Sequence, residues 1–173
     1  MSKVREHQRQ QSMRRAFVLV LALAGAFVWL TSGGLPDVVA SHFGPGGAAN
    51  GFVSRSTYTS LMLAVVVAVP ALIALSGQLV RVLPVQLVNL PNKGYWLAPQ
   101  RRAATLEALS SMSAAFATAL AVFLCFVHWL VVQANAGQPA KLQEASLIVG
   151  LVVFGVATVL WLLVLFRRFG RVP

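Results

Sequence analysis

Ala114 to Val132 reads AAFATALAVFLCFVHWLVV, nineteen residues without a Lys, Arg, Asp or Glu. A helix that crosses a bilayer needs about 20 consecutive, mostly apolar residues. A helix buried in a soluble core keeps a polar face, because one side meets water. This stretch has no such face, so it reads as a membrane span. The uncharged run extends on both sides, from Ala108 to Ala140, 33 residues in all. Three more uncharged stretches match it: Ala16 to Pro36 with 21 residues, Ser56 to Val80 with 25, and Ala145 to Phe166 with 22. Composition agrees. The chain is 58% hydrophobic and 10% charged, where a soluble domain carries about 25% charged residues. A soluble globular domain and a disordered chain are both excluded.

The charges then orient the spans. Fourteen Lys and Arg face four Asp and Glu, a net +10 over 173 residues. Residues 1–15 carry net +4, residues 81–107 net +3 and the tail after Phe166 net +3. The other two connections hold Asp37 with Arg55, and Lys141 with Glu144, each neutral in sum. The whole excess thus sits on alternate segments, which the positive-inside rule places in the cytoplasm. The expected fold is an all-α membrane protein with four transmembrane helices and both termini cytoplasmic. It has a short ordered outer loop, of which a β-hairpin is one form, and an interfacial inner loop. A pI near 11.6 invites nucleic acid as a partner. Orientation and anionic headgroups already account for the cations, so no nucleic acid is expected. Trp29 and Trp129 fall near the outer interface, Tyr95 and Trp96 near the inner one, where amphipathic rings settle.

The first span has a rival reading. A basic start, an apolar run and Ser32-Gly33-Gly34 resemble a signal peptide with a small-residue cleavage site. Arg14-Arg15-Ala16-Phe17 hints at a twin-arginine signal. The long run and the three following spans favour a retained helix.

Packing signals centre on the third span. Ser113, Ala117, Ala121 and Cys125 are each four apart, and Ser110, Ala114 and Thr118 form a second row. Such spacing puts each row on one helix face, and small residues let helices approach closely in lipid. This helix is expected to be central. Cys125, the single cysteine, reads as a packing residue and excludes an internal disulfide framework. Pro70 is expected to kink the second span. Gly25, Gly150 and Gly155 are expected points of close approach. No ionisable Asp, Glu, Lys or Arg lies in any span, against the habit of ion-coupled transporters.

The outer loop runs LPDVVASHFGPGGAANGFVSRSTY from Leu35 to Tyr58. Val38 to Phe43 suits an extended segment. Gly44-Pro45-Gly46-Gly47 fits a type II turn, and Asn50-Gly51 is a further turn signal. Phe52-Val53 then returns antiparallel, and Ser54 or Ser56 caps the second span. Asp37 and Arg55 stand at the two ends of this loop and are expected to pair and fasten it. His42 is suited to a loop hydrogen bond, a ligand or titration near neutral pH. His128 lies four residues before Val132, roughly 6 Å below the outer edge. His42, His128 and Asp37 are therefore a candidate metal set, two imidazoles and a carboxylate. No cofactor is expected otherwise.

The pattern Leu35-Pro36-Asp37, then His42-Phe43-Gly44, Gly47, Gly51 and Arg55, resembles an uncharacterised membrane domain. That domain occurs in SdpI-type proteins, the immunity and signalling membrane proteins for a secreted bacterial toxin. The resemblance covers about the first 80 residues. Phe52 stands near the family's usual tryptophan, and Arg55 replaces its usual lysine. It implies residues 16–80 as an SdpI-like domain of two spans with outer loop 35–57. A basic N-terminus, 1–15, precedes it, an inner loop, 81–107, follows, and two further spans and a basic tail make up 108–173. It also implies the bacterial inner membrane and an outer-loop site for a peptide or partner. That site comprises Asp37, His42, Phe43, Gly44, Gly47, Asn50, Gly51 and Arg55.

The inner loop reads RVLPVQLVNLPNKGYWLAPQRRAATLE from Arg81 to Glu107. Three prolines and Gly94 interrupt it, and Asn89 to Tyr95 has the punctuation of a compact turn. After Pro99 the composition is helical, with Pro suited to the first turn, and the helix runs on into the third span. Asn92, Lys93, Tyr95, Trp96, Arg101 and Arg102 form either a docking surface or an interfacial anchor. Asn89 to Arg102 also resembles a segment after this domain in small proteobacterial relatives.

No catalytic motif stands out: no phosphate-binding glycine loop, no Gly-x-Ser-x-Gly, no His-Glu-x-x-His. The expectation is a non-enzymatic sensor, immunity or accessory protein that contacts the bilayer and a peptide or protein partner. The alternatives are a small transporter or pore, and a metal-bearing subunit of a membrane enzyme.

Overall fold

The computed structural model describes residues 2–80 and 82–172. Arg81, one of the cations assigned to the inner loop, lies outside the described residues. The chain forms α1 (Ser2–Ser32), β1 (Val38–Phe43), β2 (Ala49–Ser54), α2 (Arg55–Leu79), α3 (Lys93–Trp96), α4 (Pro99–Asn135) and α5 (Glu144–Phe169). Four of these helices are long and apolar enough to cross a membrane: Arg15–Ser32 within α1, then α2, α4 and α5. The loop after α1 and the loop after α4 touch through an Ala48–Lys141 bridge. The loop after α2 touches the end of α5 through Trp96 and Phe169. The helices therefore run up and down, with a hairpin end and a basic end.

Helix α4 is the centre, as the small-residue rows imply, and it packs on α1, α2 and α5. Ala117 and Ala121 are fully buried. Ser110 Oγ donates to Gly77 O of α2 at 2.7 Å, and a Cβ on Gly77 would stand 2.6 Å from Ser113 Oγ. Cys125 joins Ala24, Val28 and Val66 where α1, α2 and α4 meet, a packing role.

Helix α5 rests on α4 through aromatics. Phe123 and Phe154 stack at 4.6 Å, and Trp161 Nε1 donates to Met112 O at 2.9 Å. Of the expected close-approach glycines, Gly150 qualifies, since a Cβ there would run into Phe126. Gly25 makes ordinary contact with Val67, and Gly155 faces open space. Pro70 is buried within α2, which is one helix from Arg55 to Leu79. Helix α4 starts at Pro99, as read, and ends at Asn135, five residues before the uncharged run does.

Candidate functional site

The hairpin end is built from its turn outward. Gly44-Pro45-Gly46-Gly47 closes with Gly47 N donating to Gly44 O at 3.0 Å. Gly46 has φ 81° and ψ 3°, the third position of a type II turn, which favours glycine. Gly47 follows at φ 74°, tight against the Leu142 carbonyl.

The strands pair antiparallel, Val39 opposite Val53 and Ala40 opposite Phe52. The Asn50-Gly51 signal does not make a turn. Both residues lie inside β2, and Gly51 faces His42 at an irregularity in the ladder. A glycine is needed there because a Cβ would stand 2.9 Å from His42 Cβ. Val39 points into a cluster with Leu35, Tyr58 and Val131, so the hairpin lies on the helix ends.

Five residues fasten it. Arg55 Nη2 meets Asp37 Oδ1 at 2.6 Å, and Arg55 Nη1 donates to Leu35 O at 3.0 Å and Gly33 O at 3.3 Å. The guanidinium thus ties the strand end to the turn that follows α1, and the expected loop clasp is present. Ser54, not Ser56, caps α2, its Oγ accepting from Thr57 N at 3.1 Å. Glu144 Oε1 accepts from Gly46 N at 2.6 Å, and Leu142 N donates to Gly47 O at 2.8 Å. Asn135 acts as a surrogate strand: its Oδ1 accepts from Ala40 N at 2.9 Å and its Nδ2 donates to Ala40 O at 3.0 Å. The same Nδ2 donates to Val131 O.

Beneath the hairpin lies His128, fully buried. Its Nε2 is 2.7 Å from Thr31 Oγ1 and its Nδ1 is 2.9 Å from Tyr58 OH. Thr31 spends its one hydroxyl proton on Phe27 O at 2.6 Å, so it accepts from Nε2–H. Nδ1 then accepts from the Tyr58 hydroxyl, which assigns a neutral imidazole protonated at Nε2. The ring stacks on Tyr58 at 5.7 Å and meets Phe27 edge-on at 5.7 Å. One side chain of α4 thus locks to α1 and α2.

The geometry does not bring the candidate metal set His42, His128 and Asp37 together. Both His128 nitrogens are engaged, Asp37 is held by Arg55, and His42 Nδ1 lies 3.1 Å from its neighbour Ser41 Oγ. Among the described residues no group of three His, Cys, Asp or Glu side chains is placed to hold a metal ion. Of the loop residues singled out from sequence, His42 and Asn50 are exposed and Phe43 is half-buried. Val38 and Phe52 show 64% and 58% of their surface, the main apolar exposure on the hairpin. Asp37, Arg55, Gly44, Gly47 and Gly51 build the hairpin itself.

No family model, curated protein or solved structure matches the chain. The site therefore stands on its own geometry.

At the basic end, the inner loop folds back on α5. Asn92 adopts the left-handed conformation at φ 52°, and its Nδ2 donates to Phe169 O at 3.1 Å. Trp96 Nε1 donates to the same carbonyl at 2.9 Å, and Thr105 Oγ1 donates to Trp96 O at 2.8 Å. Lys93 Nζ donates to Gln86 O at 3.1 Å. Asn92 and Trp96 are thus occupied within the fold. Tyr95 is half-buried and Arg101 exposed, with the guanidinium 3.9 Å from the centre of the Tyr95 ring. Arg102 is half-buried beside them.

Proposed function

We propose that the chain is a small multi-pass protein of the bacterial inner membrane, with both termini cytoplasmic, that receives a peptide or protein partner at its hairpin end. Its role is that of a sensor, immunity or accessory protein and not of an enzyme. The observation that carries this reading is the coupling of an exposed hairpin to a buried hub. Val38, His42 and Phe52 face outward, while the hairpin's inner face sits on Tyr58, which is bonded to His128. A force or ordering imposed on the hairpin passes to α1, α2 and α4 through that imidazole. The resemblance of Leu35 to Arg55 to SdpI-type proteins supports the same reading. So does the polarity of the charges, which points the hairpin outward.

A photo-crosslinking residue at position 52, in native membranes, tests it. A partner captured there should disappear with His42→Ala and Val38→Ser, and should not be captured from position 94 at the opposite end. Equal capture from both positions, or capture indifferent to both substitutions, overturns the reading.

A further inference from the structure

The basic end carries a second arrangement that the hairpin reading does not use. Three aromatic rings form a continuous ladder. Tyr95 meets Trp96 edge-on at 5.1 Å, and Trp96 meets Phe169 edge-on at 5.4 Å. Each outer ring carries a guanidinium: Arg101 lies 3.9 Å from the Tyr95 ring centre, and Arg168 lies 5.7 Å from that of Phe169. The ladder is anchored, since Trp96 Nε1 and Asn92 Nδ2 both donate to Phe169 O and Phe169 is 1% exposed. A guanidinium held over an aromatic face within about 6 Å is attracted by the ring and keeps N–H groups free to take a phosphate oxygen.

Both arginines are exposed. Among the described residues no carboxylate forms an ion pair with either, since Arg55 and Asp37 make the ion pair found there. Arg101 also sits in the first turn of α4, which has no acidic residue and no side-chain cap. The helix dipole disfavours a cation at that place, so local helix preference does not explain Arg101. The ladder lies where α4 and α5 leave the apolar span, the level of phospholipid headgroups.

We propose that this ladder is a binding site for the phosphodiester headgroup of an anionic phospholipid, with Arg101 and Arg168 as its cationic contacts. The aromatic rings supply the preorganised platform, and the apolar flank of α5, exposed along Leu162, Leu163 and Phe166, lies alongside the acyl chains. A diffuse positive surface would respond only to the number of charges; this site responds to which charge and to the ring beneath it.

The full chain, purified in neutral detergent, is titrated with phosphatidylglycerol or phosphatidylcholine, and bound lipid is counted by native mass spectrometry. Phosphatidylglycerol is expected to bind more tightly. Arg101→Gln and Arg168→Gln should each weaken it by about fivefold, the effect of one cation at a headgroup. Tyr95→Leu leaves the charge unchanged and should also weaken it. Arg171→Gln, outside the ladder, should stay within about twofold of the native chain, less than the loss of one engaged cation. Thermal unfolding in phosphatidylcholine, equal to that of the native chain, confirms that each variant is folded. Equal losses for Arg171→Gln and Arg101→Gln overturn the proposal in favour of bulk charge. Unchanged binding in folded Tyr95→Leu overturns the role of the ladder. Displacement of the lipid by millimolar inorganic phosphate overturns the lipid source and makes this a soluble-phosphate site.

Discussion

His128 gives an apolar bundle something that dispersion alone does not supply, a directional choice of which helix faces meet. Its two nitrogens have one donor and one acceptor role, and Tyr58 and Thr31 satisfy both. Hydrogen bonds between membrane helices average about 0.6 kcal/mol and reach roughly 1.7 kcal/mol. Tyr58→Phe should therefore lower stability in detergent by about 1 kcal/mol. His128→Leu should lower it more, because it leaves the Tyr58 hydroxyl without an acceptor. In a double-mutant cycle the two losses should fall short of additive; strict additivity would show that the 2.9 Å contact carries no energy. Asn135 is the second decisive residue. Asn135→Asp removes both donated bonds and sets carboxylate oxygens against Ala40 O and Val131 O, at a cost of about 1–3 kcal/mol. Amide exchange at Ala40 and its strand neighbours should accelerate, and no acceleration would show that the hairpin stays docked without the amide. The sequence marks His128 as unusual because it is a polar ring in a run of apolar residues. Its partners lie on other helices, 97 and 70 residues away, and a shared place near the outer edge suggested His42 and Asp37 instead. Asn135 carries a signal in the sequence too: a carboxamide at the end of an apolar helix, where the last carbonyls need partners.

Among the elements, the hairpin was the most readable because its turn chemistry is local. Gly-Pro-Gly-Gly dictates backbone angles without help from the rest of the chain. Asn50-Gly51 obeys the same local rule and yet sits in a strand. Register across from His42 and the ladder irregularity there outweigh the dipeptide's preference. The docking of the turn onto residues 141–144 was not readable, since it depends on the α4–α5 connection arriving at the same end. This contrast gives a paired test. Gly46→Ala meets open space and bears only the cost of a left-handed alanine, about 1–2 kcal/mol. Gly47→Ala bears that cost and also drives a methyl into the Leu142 carbonyl. It should lose clearly more stability, and should detach the hairpin from residues 141–144. Limited proteolysis at the turn measures this, and equal sensitivity of the two variants would place the turn free of the second loop. Arg55→Gln belongs to the same element. It removes an ion pair with an exposed partner, worth about 0–1 kcal/mol, and also the guanidinium bonds to Gly33 and Leu35 at the end of α1. Its effect on hairpin protection should exceed that of Asp37→Asn, which removes the ion pair alone.

At the scale of the molecule, four uncharged stretches became four long helices because each is long enough to span and carries no charge to be stranded in lipid. The charge pattern adds a direction that a bundle of helices does not contain by itself. Along the sequence all net positive charge lies in residues 1–15, residues 81–107 and the tail after Phe166, and the two other connections are neutral in sum. The single native cysteine makes this testable with little disturbance. Cys125→Ala gives a cysteine-free chain, and single cysteines are then placed at Asn50, Gln138, Gly94 and Gly170. A membrane-impermeant thiol reagent added to intact cells should label positions 50 and 138 and leave 94 and 170 unlabelled until the cells are opened. The reverse pattern would invert the molecule and place the guanidinium ladder outside. Labelling of 50 without 138 would break the pairing of the two hairpin-end loops, which share the Ala48–Lys141 bridge. The expected result puts the exposed Phe52 face on the outer side and Arg101 and Arg168 on the opposite, inner side. Partner capture and headgroup binding then occur on opposite faces, about one bilayer core, ~30 Å, apart, with α4 as the element common to both.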